Sequence, residues 1–156
     1  MTINEQEITP IIREAIGIAV VAGNRIKEIY HQTEPVVCRT KKDTSPVTEA
    51  DLASHDLIQT ALRQLTPEIP IISEEGDQGA WANRAAWPTL WLIDPLDGTQ
   101  EFLHRTDEFT VNMGVVCNHQ PVGGVVYVPM TGEVYWAAKG QGAYWRASPD
   151  AKDEPI

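Results

Sequence analysis

The chain reads as an α+β domain, two long helices packed on a largely antiparallel sheet, and three features of the sequence predict it. Apolar residues recur at helical spacing from Ile8 to Tyr30 and again in the stretch ending at Leu65. The later part of the chain breaks into short strand-like runs joined by turn residues, and carboxylates gather where apolar runs stop. In the first helix Ile8, Ile11, Ile12, Ala15, Ile16, Ala19, Val20, Gly23, Ile26, Ile29 and Tyr30 share one face, and the helix ends near His31 to Pro35. Val36 to Thr40 reads as a short strand. The following KKDTSPVT stretch reads as irregular backbone, with Lys41, Lys42 and Asp43 expected to be mobile. The second helix, Thr48 to about Leu65, turns Ile58, Ala61, Leu62 and Leu65 inward and ends before Pro67.

Ile71 and Ile72 form a brief strand that stops at Ser73, Glu74 and Glu75. Leu90 to Ile93 is a continuous apolar run of the kind found in strands covered on both faces; it ends in Asp94, Pro95, Leu96, Asp97 and Gly98, with a helical turn expected next. Phe109 to Val116, Gly123 to Val128 and Glu133 to Ala138 read as an antiparallel meander, joined near Asn118 to Pro121 and by the Thr131–Gly132 turn. Residues 1–146 are expected to form one domain, and 147–156, small, polar and proline-containing, a linker-like tail.

A chain of 156 residues can bury one core of its own, and five tryptophans, expected in that core, exclude a disordered composition. No apolar run approaches the roughly 18 residues of a membrane span, and the first residues lack a signal-peptide pattern, so a soluble intracellular protein is expected. Cys38 and Cys117 lack metal or disulfide spacing and read as reduced core residues. His31, His55, His104 and His119 form no i, i+4 pair and read as surface residues rather than metal ligands. Acidic residues exceed basic ones by ten, which argues against a nucleic-acid surface. A small phosphorylated ligand remains compatible if divalent cations lie between it and the carboxylates.

Asp94 and Asp97 flank a proline and a leucine whose carbonyl a turn can leave exposed; two carboxylates and a carbonyl are oxygen donors suited to Mg²⁺. Gly98 permits close backbone approach, and Thr99 opens a helical turn whose amides can receive a phosphate. The bland alternative is a DG turn followed by a threonine cap. An EF-hand loop does not fit, because Leu96 and Gly98 stand where oxygen-bearing side chains are required. Asp51 follows Thr48 by three residues, as in a capping box, yet it also lies on the inward face of its helix, seven residues before Ile58. Only one of Glu74 and Glu75 can point inward from a strand end, and Glu75 reads as the solvated neighbour.

The run WLIDPLDGTQEF resembles the signature of the inositol monophosphatase superfamily of lithium-sensitive, magnesium-dependent phosphatases, and KKDTSPVTEAD and IISEE agree with it in order and separation. The resemblance implies the N-terminal half of the sugar-phosphatase αβαβα architecture, with residues 1–146 as its metal-binding domain. It implies two or three Mg²⁺ ions held by Glu74, Asp94, the Leu96 carbonyl and Asp97, with substrate contacts from Glu74 and from Leu96, Asp97, Gly98 and Thr99. Asp51, hydrogen-bonded to Thr99, would help deprotonate the attacking water, with Glu74 the other candidate activator. The residues after DGTQ, with HRTDEFTVN and GGVVYVP, look most like the bacterial 3'(2'),5'-bisphosphate nucleotidase branch of sulfate assimilation. That branch implies conversion of 3'-phosphoadenosine 5'-phosphate to AMP in the cytoplasm, including the cytoplasmic face of the inner membrane. The family also carries a second domain with a tryptophan-aspartate motif that has no counterpart here, so self-association or pairing with such a domain is expected. An inositol-phosphatase specificity, a silent metal- or nucleotide-binding fragment with exposed apolar surface, and a purely structural domain stay open as alternatives.

Overall fold

The computed structural model describes residues 5–41 and 46–156. Helix α1 (Glu5–His31) buries Ile8, Ile12, Ala15, Ala19, Ala22 and Ile26 along one stripe, as its periodicity predicts. Strands β1 (Cys38–Thr40) and β2 (Pro46–Thr48) form a separate antiparallel ribbon, with Cys38 opposite Thr48. The stretch read as irregular therefore contains a strand, tolerated because Pro46 lies at the start of a two-stranded edge. Lys42 and Asp43 lie outside the described residues, whereas Lys41 is held by two ion pairs. Helix α2 (Glu49–Leu65) starts on the N-cap Thr48 and packs beside α1.

The main sheet has seven strands in chain order: β3 (Ile71–Ser73), β4 (Thr89–Asp97), β5 (Thr110–Cys117), β6 (Gln120–Tyr127), β7 (Val134–Ala138), β8 (Gly142–Arg146) and β9 (Glu154–Pro155). All pairings are antiparallel except β3 with β4. Asn118 and His119, both at positive φ, make the β5–β6 turn. A 3₁₀ segment, Gln78–Ala86, precedes β4, and a short helix α3 (Thr99–His104) follows it. The segment 147–156 is not a free linker. Tyr144 pairs with Pro155, and Asp153 accepts from Trp136 Nε1 (2.8 Å) and Arg146 Nε (2.5 Å) while pairing with Arg13 (3.2 Å), so charge and sheet edge fix it.

Alternate residues of the strands face α1 and α2. Trp91, Val115, Gly123 and Ala138 lie in one register row, Ile93, Met113, Val125 and Trp136 in the next. The helices lie against β4 to β7 on this face. Gly123 is required there, since a Cβ would sit 2.8 Å from Ile12 Cγ1. The opposite face carries Leu92, Gly114, Gly124, Ala137 and Ala143 in register, with Val126 and Tyr135 beside them. Leu92 is 41% exposed, so β4 is not covered on both faces as its apolar run suggests. Other expectations change with tertiary context. Cys38 is exposed and only Cys117 is buried, Trp81 is exposed on the open side, and His55 is buried rather than on the surface. Among the described residues, no helix is long and apolar enough to cross a membrane.

Candidate active site

The acidic residues meet at the junction of β3, β4, α2 and α3. Glu74 leaves the end of β3, tied to β4 by its amide bonding the Ile93 carbonyl at 3.0 Å. Asp94 and Asp97 lie within β4 rather than beyond it, on either side of an irregularity in the β4–β5 register that turns the segment. Gly98 is the N-cap of α3 at φ 98°, and a Cβ there would meet the Glu108 carbonyl at 2.8 Å, so this corner excludes any other residue.

Asp51 is 1% exposed, so it both caps α2 and lies on the inward face. Its Oδ2 accepts from the Thr48 amide (2.8 Å) and hydroxyl (2.5 Å) as a capping box, and its Oδ1 accepts from Thr99 Oγ1 at 2.9 Å. The next residues on the same face of α2 hold the other two segments. Ser54 Oγ donates to the Pro95 carbonyl at 2.7 Å, and His55 Nδ1 lies 2.8 Å from Ser73 Oγ. Ser54 has no part in the sequence reading and His55 is read there as a surface residue, although polar residues at helical spacing between Asp51 and the buried Ile58 are the signal that marks them.

The two glutamates exchange their expected burial: the Glu75 side chain is 7% exposed and that of Glu74 50%. Lys41 Nζ bonds both, at 2.9 Å to Glu74 and 2.5 Å to Glu75. Burial pushes the Glu75 carboxyl up, and Lys41 opposes that rise. For Lys41, burial disfavours the charge but the two glutamates outweigh it and raise its pKa. Asn112 Nδ2 donates to Asp97 Oδ2 at 3.0 Å. Burial, followed by the charges of Glu74 and Asp97, pushes Asp94 up to about 7. Burial also lowers the pKa of His55, which keeps the imidazole neutral at physiological pH.

Among the described residues, no His, Cys, Asp or Glu side chains are drawn up as a closed metal cage, since Glu74 turns to Lys41 and Asp97 to Asn112. The donor chemistry nevertheless fits a hard divalent cation. Asp94 Oδ1 is buried without a hydrogen-bond partner, and its carboxyl suffers from two neighbouring negative charges that a cation would offset. Glu74, Asp94, Asp97 and the Leu96 carbonyl are the oxygens that could hold it. A cavity of about 830 Å³ leads from Glu74, Asp94 and Asn112 along the open apolar face to Tyr135 and Ala143.

A sequence model of the inositol monophosphatase family matches residues 7–155. The chain is 45% identical over 130 residues to the 3'(2'),5'-bisphosphate nucleotidase CysQ of Salmonella typhimurium, which covers 83% of this chain and 52% of that protein. The crystal structure of CysQ from Bacteroides thetaiotaomicron, an inositol monophosphatase family member, superposes with a TM-score of 0.70 at 40% identity over 89% of this chain and 50% of the other. The suppressor protein SuhB from Bartonella henselae superposes at 0.75 with 25% identity, over 86% of this chain and 51% of SuhB. The chain thus spans about half the length of the relatives it matches.

Proposed function

The chain belongs to the inositol monophosphatase family, and on that premise we propose that it is a Mg²⁺-dependent phosphomonoesterase that removes the 3'-phosphate of 3'-phosphoadenosine 5'-phosphate, giving AMP and phosphate. The observation that carries the reading is the hydrogen bond from Thr99 to the buried Asp51, set beside Glu74, Asp94 and Asp97. The identity to bisphosphate nucleotidases favours a nucleotide over an inositol phosphate.

Asp51 is fixed by Thr48 on one oxygen, which leaves the other aimed at Thr99. With its proton directed to Asp51, Thr99 Oγ1 offers a lone pair to the attacking water; as the water's proton moves to Thr99 Oγ1, the Thr99 proton passes to Asp51 Oδ1, so the carboxylate is the general base acting through the hydroxyl. Gly98 and Thr99 begin α3 without a side-chain cap, and their amides are donors for phosphate oxygens. Asp94 holds a carboxylate close to Glu74 and Asp97 despite their mutual repulsion, an arrangement that serves cation binding better than stability. When bound, two or three Mg²⁺ ions would screen the phosphate charge, acidify a bound water and stabilise the departing oxygen. The same reading puts the protein in the cytoplasm.

A second reading, metal binding without turnover, is favoured by the open apolar face that continues the acidic cavity. The deciding measurement is phosphate release by this chain from 3'-phosphoadenosine 5'-phosphate and inositol 1-phosphate, each with and without Mg²⁺. Mg²⁺-dependent release favouring the nucleotide is expected. Release favouring inositol 1-phosphate would reassign the substrate, and silence on both with retained Mg²⁺ binding would select the second reading.

A further inference from the structure

We propose that His55 is a positioning residue for the metal site, acting through Ser73 to aim Glu74. This rests on the reading of Glu74, Asp94 and Asp97 as cation ligands. Asp51, Ser54 and His55 form one polar stripe at the start of α2, 1%, 0% and 9% exposed, in a position where an amphipathic helix would otherwise place apolar residues. Each bonds a different segment: Asp51 to Thr99 of α3, Ser54 to the Pro95 carbonyl of β4, and His55 to Ser73 at the end of β3. One rigid helix therefore spaces all the chain segments that supply candidate ligands.

The His55 link is the one that reaches Glu74. Gln59 Nε2 lies 3.5 Å from His55 Nε2, which leaves Nδ1 to carry the proton and donate to Ser73 Oγ. Ser73 is the last residue of β3, and the Glu74 amide is fixed to the Ile93 carbonyl at 3.0 Å. Clamped by α2 on one side and β4 on the other, the peptide before Glu74 fixes where the side chain starts, beside Asp94 and within reach of Lys41. Ser54 complements this by committing the Pro95 carbonyl to α2, while the neighbouring Leu96 carbonyl turns to Thr99 Oγ1 at 3.5 Å. Partners that orient ligands in this way commonly change metal affinity by 10- to 100-fold when removed.

The test is Mg²⁺ and Mn²⁺ binding by calorimetry to the unmodified chain and to His55→Leu, His55→Asn, Ser73→Ala and the double variant His55→Leu/Ser73→Ala, with circular dichroism to confirm folding. His55→Leu and Ser73→Ala should each weaken binding at least about tenfold. The double variant should be no weaker than either single change. His55→Asn, whose amide nitrogen can take the place of Nδ1, should recover most of the affinity. Unchanged affinity in folded Ser73→Ala, or a lowered melting temperature with unchanged affinity in His55→Leu, would overturn the proposal. Glu74→Gln separates the two readings. If the unmodified chain binds and Glu74→Gln does not, an intact isotherm in the His55 and Ser73 variants defeats this inference alone; no binding by the unmodified chain defeats both.

Discussion

The two faces of the seven-stranded sheet are made by alternate residues of the same strands, yet they are built to different ends. The helix-covered face is filled with Trp91, Ile93, Val111, Met113, Val115, Tyr127 and Trp136, all nearly inaccessible. The open face has Leu92, Val126 and Tyr135 partly exposed around a row of small residues, Gly114, Gly124, Ala137 and Ala143. Asp94 belongs to the open face, in register with Asn112 and Val126. The packed face holds the core and the open face holds Asp94, so substitutions one residue apart in β4 should differ sharply in their consequences.

The largest effect is expected on the packed face. Trp91 is fully buried, and its Nε1 bonds Thr66 Oγ1 at 3.0 Å. Trp91→Ala should lose about 3–5 kcal/mol, through the cavity and the lost hydrogen bond to Thr66, in urea unfolding. Next comes Gly123→Ala, whose Cβ would lie 2.8 Å from Ile12 Cγ1 and 3.1 Å from the Ala137 carbonyl. It should cost about 1–3 kcal/mol by pushing α1 off β6, read as a lower urea midpoint at unchanged slope.

The helices that cover this face were legible in the sequence because a 3.6-residue period is a local signal: α1 and α2 end within a few residues of their expected bounds. The DPLDGT segment was legible for a different reason, since its residue types at fixed spacing constrain chemistry whatever the packing. What could not be read depends on partners distant in sequence. Which of Glu74 and Glu75 turns inward is settled by Lys41, and whether the Leu90–Ile93 run is covered twice depends on what lies over Leu92. The 147–156 segment looked like a tail because its order comes from Asp153 meeting Trp136, Arg146 and Arg13. His55 was placed on the surface because its bonded partner, Ser73, belongs to a separate strand.

Asp94 should show an intermediate effect that reverses sign with metal. Its carboxyl is raised from 3.8 to about 7 in the fold, so between those values the folded chain holds more protons than the unfolded one. In the presence of a chelator, stability should therefore fall as pH rises from about 4 to about 7 and level off above, and Asp94→Asn should flatten that slope. At pH 8 without metal the variant should melt higher than the unmodified chain. Adding Mg²⁺ should stabilise the unmodified chain and leave Asp94→Asn where it was. Thermal scans across pH with and without Mg²⁺ check all three outcomes.

The smallest effect is expected one strand position from Trp91. Leu92 is 41% exposed on the face that among the described residues nothing covers, so Leu92→Thr removes little buried area and introduces a β-branched residue that suits a strand. Its unfolding free energy should stay within about 0.5 kcal/mol of the unmodified chain. What should change is the surface: a hydrophobic dye that fluoresces on the open face should bind less, because Leu92 lines the wall of the cavity that runs to Asp94. A Leu92→Thr variant that unfolded as readily as Trp91→Ala would mean that the two faces are not energetically distinct. An unchanged dye signal at unchanged stability would mean instead that the apolar surface is presented elsewhere.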